Sequence, residues 1–219
     1  MSKHAGIVGM LLLAAGSFGC SAEVGSEDLT TTSDAVQQGN ARLASYEETY
    51  TRWVFGQLSV PTDANGNAVV KGVVLMPVPF TDGDGTPGVA DVTLKSGQSF
   101  MLPFFAEYGT SYRDSTPPDP FEPLSLFETL DIQFSVDGVP LVTTSNVMSY
   151  FSKFTFDPEI PIDDTFFKAV IWFEGVGVLH TPLTPGQHVL KLDEKNTEPG
   201  FGGLLEYHNT WNVTVTAGG

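Results

Sequence analysis

Past its N-terminal segment the chain carries three histidines, His180, His188 and His208, and several acidic loops. These are the residues whose chemistry could reach beyond packing. Imidazoles hold zinc or copper, but no His-x-His or His-Glu-x-x-His spacing occurs here. His188 follows a Pro-Gly turn at a strand start, where a histidine serves backbone hydrogen bonding. Asp82-Gly83-Asp84-Gly85 and Asp63-Ala64-Asn65-Gly66-Asn67 offer the oxygens that calcium takes. The second stretch begins like an EF-hand loop and then departs from it, with Ala68 at the glycine position and Val74 at the terminal glutamate position. Both stretches lie between strands, where Asp, Asn and Gly are turn residues in their own right. Asp82 and Asp84 are the metal candidates that remain. Calcium is the one cofactor they suggest, and folding is expected without it. Carboxylate catalysis needs two acids facing each other across a cleft. Glu107, Asp131, Glu174 and Glu206 are available, yet no spacing pairs them. A Gly-x-Ser-x-Gly elbow and a Gly-rich phosphate loop are both missing, so no catalytic residue is assigned. Trp53 and Tyr207 are the ligand-binding candidates, since large aromatics stack on ligand faces at small entropic cost. Trp211 alternates with Val213 and Val215 and reads as core.

The elements that would position these residues read as strands. Leu130, Ile132, Phe134 and Val136 alternate with polar residues, the period of a half-buried strand. Asp137-Gly138 follows as a hairpin turn, and Val139–Val142 returns, with Pro140 marking an edge. His188, Leu190 and Leu192 share one face, as do Trp211, Val213 and Val215. Residues 169–178 are apolar on both faces up to Phe173, as in a central strand covered on each side. Further strands are expected at Thr51–Val60, Val69–Val78, Val89–Leu94, Phe100–Ala106 and Ser152–Phe156. With 15 prolines in the chain, at most one short helix is expected, within Glu122–Thr129. The fold class is all-β: a single antiparallel sandwich, jelly-roll-like, over residues 46–219.

The N-terminus has a different character. A short cationic start with Lys3 precedes an apolar run from Ala5 to Ala15, and small residues surround Cys20. That order is a secretory signal peptide, expected over residues 1–19. The run falls short of the roughly 20 apolar residues that span a bilayer. Cys20, the single cysteine, with Gly19 before it, resembles the acceptor of a lipobox, although Ser17 and Phe18 depart from that motif. Lipid attachment at Cys20 is the expectation. A soluble protein cut after Cys20-Ser21-Ala22 is the alternative. Ser21 in place of Asp gives no inner-membrane retention signal by the same resemblance. Residues 20–45 read as the lipid-attachment site and a flexible tether. The remainder contains no cysteine, which excludes disulfides and thiolate metal sites. The formal net charge of −16 becomes one unit more negative once Lys3 is removed. Such a surface repels phosphate backbones, so nucleic acid is not an expected partner.

Pro182-Leu183-Thr184-Pro185-Gly186-Gln187-His188 and Asn209-Thr210-Trp211-Asn212-Val213-Thr214-Val215 resemble the C-terminal signature of a group of uncharacterised secreted bacterial proteins. Val136–Pro140 and Ser152–Phe156 fit the middle of that pattern. The cysteines of the group's N-terminal half are missing here. The resemblance implies a secreted β-sandwich and offers no activity to carry over. The expected function is that of an exported lipoprotein whose sandwich binds a carbohydrate or protein ligand, or serves as scaffold, without catalysis. The alternative is a polysaccharide hydrolase using carboxylates. The expected location is an outer membrane or cell surface through the lipid anchor, otherwise periplasmic or secreted.

Overall fold

A computed structural model describes residues 32–217 except 80, 82 and 197–204, with side chains from residue 41 onward. The expected signal peptide, Cys20 and Asp82 lie outside the described residues. Two five-stranded sheets stack face to face, and no barrel closes. Helix α1 (Thr32–Val54) opens the chain. Strands β1 (Ala68–Val70), β2 (Val73–Leu75), β3 (Asp84–Lys95) and β4 (Ser99–Tyr112) follow. A single helical turn, α2 (Ser125–Glu128), precedes β5 (Asp131–Val136) and β6 (Val139–Thr143). A 3₁₀ turn, Val147–Tyr150, leads into β7 (Phe151–Pro161), β8 (Phe167–His180), β9 (Gly186–Asn196) and β10 (Leu205–Thr216). The first sheet runs β1-β2-β4-β8-β7 and the second β3-β10-β9-β5-β6.

The all-β sandwich expected from alternation is the fold. Its sheets are mixed rather than purely antiparallel, because β2 runs parallel to β4 and β3 parallel to β10. Each parallel pair joins strands that alternation identified but could not orient. Between the sheets lie Val74, Phe100, Leu102 and Phe105 from the first and Ile132, Phe134, Leu190, Leu192, Trp211 and Val213 from the second. Trp211 is fully buried and donates its indole N–H to the Pro77 carbonyl at 2.6 Å. The Asp137-Gly138 hairpin forms as expected, with φ of 52° and 78°, the left-handed pair of a type I′ turn. Lys71 and Gly72, at φ of 48° and 79°, make a second such turn. It divides the expected strand Val69–Val78 into β1 and β2.

The N-terminal region corrects the expectation. A 23-residue helix replaces the expectation of at most one short helix, the flexible tether over 32–45 and the first part of the strand Thr51–Val60. Proline is the helix breaker that argued against this, but the first proline of the chain is Pro61 and constrains nothing before it. Leu43, Tyr46, Glu47, Tyr50 and Thr51 are buried at the i, i+3, i+4, i+7, i+8 spacing of one helix face. That face covers the outer side of the first sheet. Leu43, Tyr46 and Tyr50 pack with Val73, Leu75 and Met101. Because Leu43 is buried, the packed region begins before residue 46. The short helix within Glu122–Thr129 is present as α2.

Candidate functional site

The residues singled out from the sequence do not converge. Asp84 opens β3, and its Oδ1 accepts the Thr86 amide at 2.9 Å. The Thr86 hydroxyl and amide hold its carboxyl below the ordinary value. Asp63 lies in a closed turn. Its Oδ1 accepts the amides of Asn65 and Asn67 at 2.9 and 3.0 Å, and its Oδ2 accepts the side-chain amides of Asn67 and Gln98. Burial raises this carboxyl, but those hydrogen bonds outweigh it and lower it overall. The turn therefore uses its oxygens on its own chain. Among the described residues no group of three or more His, Cys, Asp or Glu side chains is placed to hold a metal ion.

Trp53 is in the last turn of α1, half-buried on the outer side of the first sheet and edge-on to Tyr50 at 5.6 Å. Tyr207 is on β10 of the second sheet, half-buried, with its ring against Gly83. The two ligand-binding candidates thus belong to different sheets. The histidines are equally dispersed. His180 stacks on Phe100 at 4.9 Å. His188 places Nδ1 2.7 Å from Asp137 Oδ2 and Nε2 2.8 Å from the Thr184 carbonyl. Both ring nitrogens face acceptors, an arrangement that favours the imidazolium. The hydrogen bond to Asp137 and that to Thr184 raise its pKa. Asp137 also accepts the Val189 amide. The Pro-Leu-x-Pro-Gly-x-His stretch therefore ties the β8–β9 loop to the β5–β6 hairpin. His208 lies between Asp193 at 2.6 Å and Glu206 at 3.2 Å on the surface.

Two of the acids that spacing could not pair do face each other. Glu107 on β4 is directly opposite Glu174 on β8, and Glu174 is directly opposite Lys153 on β7. The row lies on the inner side of the first sheet. A register shift between Pro103 and Phe105 places Glu107 there, a bulge that period-two counting does not see. Lys153 Nζ is 2.7 Å from Glu174 Oε1, and the Glu122 amide donates to Oε2 at 2.8 Å. Lys153 also lies 3.8 Å above the Phe121 ring, which stacks on Trp172. The segment carrying Phe121 and Glu122 is held by Asp119. Its carboxylate accepts Thr110 and Tyr112, and its carbonyl accepts the Trp172 indole. Trp172 fits because Gly109 is opposite it, where any Cβ would collide with the indole. Glu174 is fully buried. Glu107 is half-buried, and its carboxyl is pushed up to about 8 by burial and then by the charges of Glu122 and Glu174.

Chemically the pair divides into a neutral acid, Glu107, and a paired carboxylate, Glu174. An acid and a base so opposed could serve glycoside hydrolysis only if both touched substrate. Glu174 exposes no surface, and its oxygens are taken by Lys153 and the Glu122 amide. In this arrangement Glu174 holds the covering segment in place. No protein-family model matches the chain, and no curated protein is significantly similar to it in sequence.

Proposed function

We propose that the protein is an exported, lipid-anchored binding protein whose sandwich acts without catalysis. The observation that supports this over the hydrolase alternative is the closure of the facing carboxylates, with Glu174 fully buried beneath the 119–122 segment. The binding surface in this reading is the exposed Phe166, joined through Tyr112 to Asp119 of that segment. Phe166 is 48% exposed and packs edge-on to Tyr112, whose hydroxyl donates to Asp119. An exposed aromatic face suits a sugar ring or an apolar side chain of a protein ligand. Calcium has no part in the proposal. No described helix is long and apolar enough to cross a membrane; attachment through lipid on Cys20 rests on the lipobox-like sequence alone. The test is fractionation of cells expressing the full chain. The protein is expected in the detergent-extracted membrane fraction, with Cys20→Ser moving to the soluble fraction. Identical partitioning of the two forms contradicts the anchor.

A further inference from the structure

The polar side chain at the centre of the α1 contact is a glutamate. Glu47 is 1% exposed. Its Oε2 accepts the Ser152 hydroxyl of β7, and its Oε1 has no hydrogen-bond partner. It projects onto β8 where Gly177 leaves room, since a Cβ there would come within 2.7 Å of Oε1. Around it the helix presents Leu43, Tyr46, Tyr50 and Thr51, and the strands present Phe173 and Tyr108. Among the described residues no cation pairs with it. Lys153, next to Ser152, points to the opposite side of the sheet and is paired with Glu174. β8 contributes Gly175 and Gly177 to this side, and neither titrates. Tyr150 of the 3₁₀ turn packs against the core between the sheets, with its hydroxyl on the Leu141 carbonyl. The remaining titratable neighbours are tyrosines. Burial pushes Tyr108 up to about 12 and Tyr50 further up, so neither changes charge between pH 5 and 8.

We propose that Glu47 makes α1 a proton-dependent strut, docked on the first sheet while its carboxyl is neutral and released toward solvent as that carboxyl ionises. The physical basis is the cost of an unpaired carboxylate in an apolar contact, which the group avoids by keeping its proton. Burial accordingly raises the Glu47 carboxyl to about 8, against a smaller lowering by the Ser152 hydroxyl. In the undocked helix the carboxyl is solvated and ionises at its ordinary value. Docking therefore binds a proton that undocking releases. The docked state is fully favoured below the ordinary glutamate range and weakens as pH rises to about 8, by about tenfold per pH unit. The rest of the contact is built to come apart as a unit, because the helix meets the sheet through one face and Gly56, just past it, opens the following turn. This device is independent of the lipid anchor. With the anchor present it would change the spacing between sandwich and membrane.

Hydrogen exchange of the full chain from pH 5 to 8, corrected for the intrinsic pH dependence of exchange, tests it. Protection of amides 43–54 is expected to fall about tenfold per pH unit, ahead of the amides of β9 and β10. Glu47→Gln, which mimics the neutral acid, should hold α1 protection constant over the same range. Ser152→Ala removes the hydroxyl that favours ionisation and should extend the fall above pH 8. Constant α1 protection in the wild-type chain, the same fall in Glu47→Gln, or no extension in Ser152→Ala would each overturn the proposal.

Discussion

Lys153 and Glu174 form an ion pair across the inner side of the first sheet. The carboxylate is fully buried, while the lysine side chain is 38% exposed. Removing one partner of a buried ion pair leaves a charge in low dielectric, at a cost of roughly 3–5 kcal/mol when both are buried. Partial exposure of the lysine reduces this, so Lys153→Met is expected to destabilise by about 2 kcal/mol. Lys153→Met combined with Glu174→Gln should recover most of that loss, because no charge is then left uncompensated. Denaturant unfolding of the two variants checks this. A single variant within about 0.5 kcal/mol of wild type, the range of ordinary surface substitutions, would show that the pair contributes nothing. This row of residues was only half legible in the sequence. Glu107 and Glu174 were visible as acids, but their facing depends on the Pro103/Phe105 bulge and on which strands neighbour each other. Lys153 was unmarked because its role is to pair with a residue distant in sequence.

At the level of elements, strands with clean alternation were legible. β5, β9 and β10 each have one face buried and one exposed, and the Asp137-Gly138 turn has strong local chemistry. β8 was recognisable as central because both of its faces are apolar, and it lies between β4 and β7 beneath α1. What failed was α1. Its buried stripe includes Glu47, Thr51 and two tyrosines, so it lacks the aliphatic signature of an amphipathic helix, and aromatic residues favour strands in isolation. A helical template applied to Leu43, Tyr46, Tyr50 and Val54 would have found it. The correction has a measurable consequence. A chain beginning at residue 46 loses Leu43 and cuts α1 within its docked face. Full burial of a leucine is worth about 1.5–3 kcal/mol, and 1 kcal/mol shifts the midpoint of a domain this size by roughly 2–4 °C. The 46–219 fragment is therefore expected to melt about 3–12 °C below a 32–219 fragment in thermal scans. Equal midpoints would mean that the N-terminal part of α1 adds no packing.

Across the whole molecule the acidity has two parts. Most carboxylates are surface groups, and several, such as Asp63, Asp137 and Asp164, are held below their ordinary values by hydrogen bonds. Their stabilisation is present above the ordinary aspartate range and is lost as pH falls. Glu47, Glu107 and Glu194 are the opposite case, each pushed up to about 8 with burial as the leading cause. Their neutral forms stabilise the fold fully below the ordinary glutamate value, and that contribution is lost as pH rises toward 8. His188, raised by Asp137 and Thr184, loses its contribution as pH rises through its own elevated pKa. Glu47, Glu107 and Glu194 thus act as neutral packing groups, in contrast to the ion-paired Glu174. The melting midpoint of the full chain between pH 4 and 9, measured alongside Glu107→Gln, tests this role. A maximum near pH 5 and a decline to pH 8 are expected, with Glu107→Gln matching wild type at pH 5 and exceeding it by several degrees at pH 8. A wild-type midpoint that is constant or rising from pH 5 to 8, with Glu107→Gln less stable throughout, would contradict it.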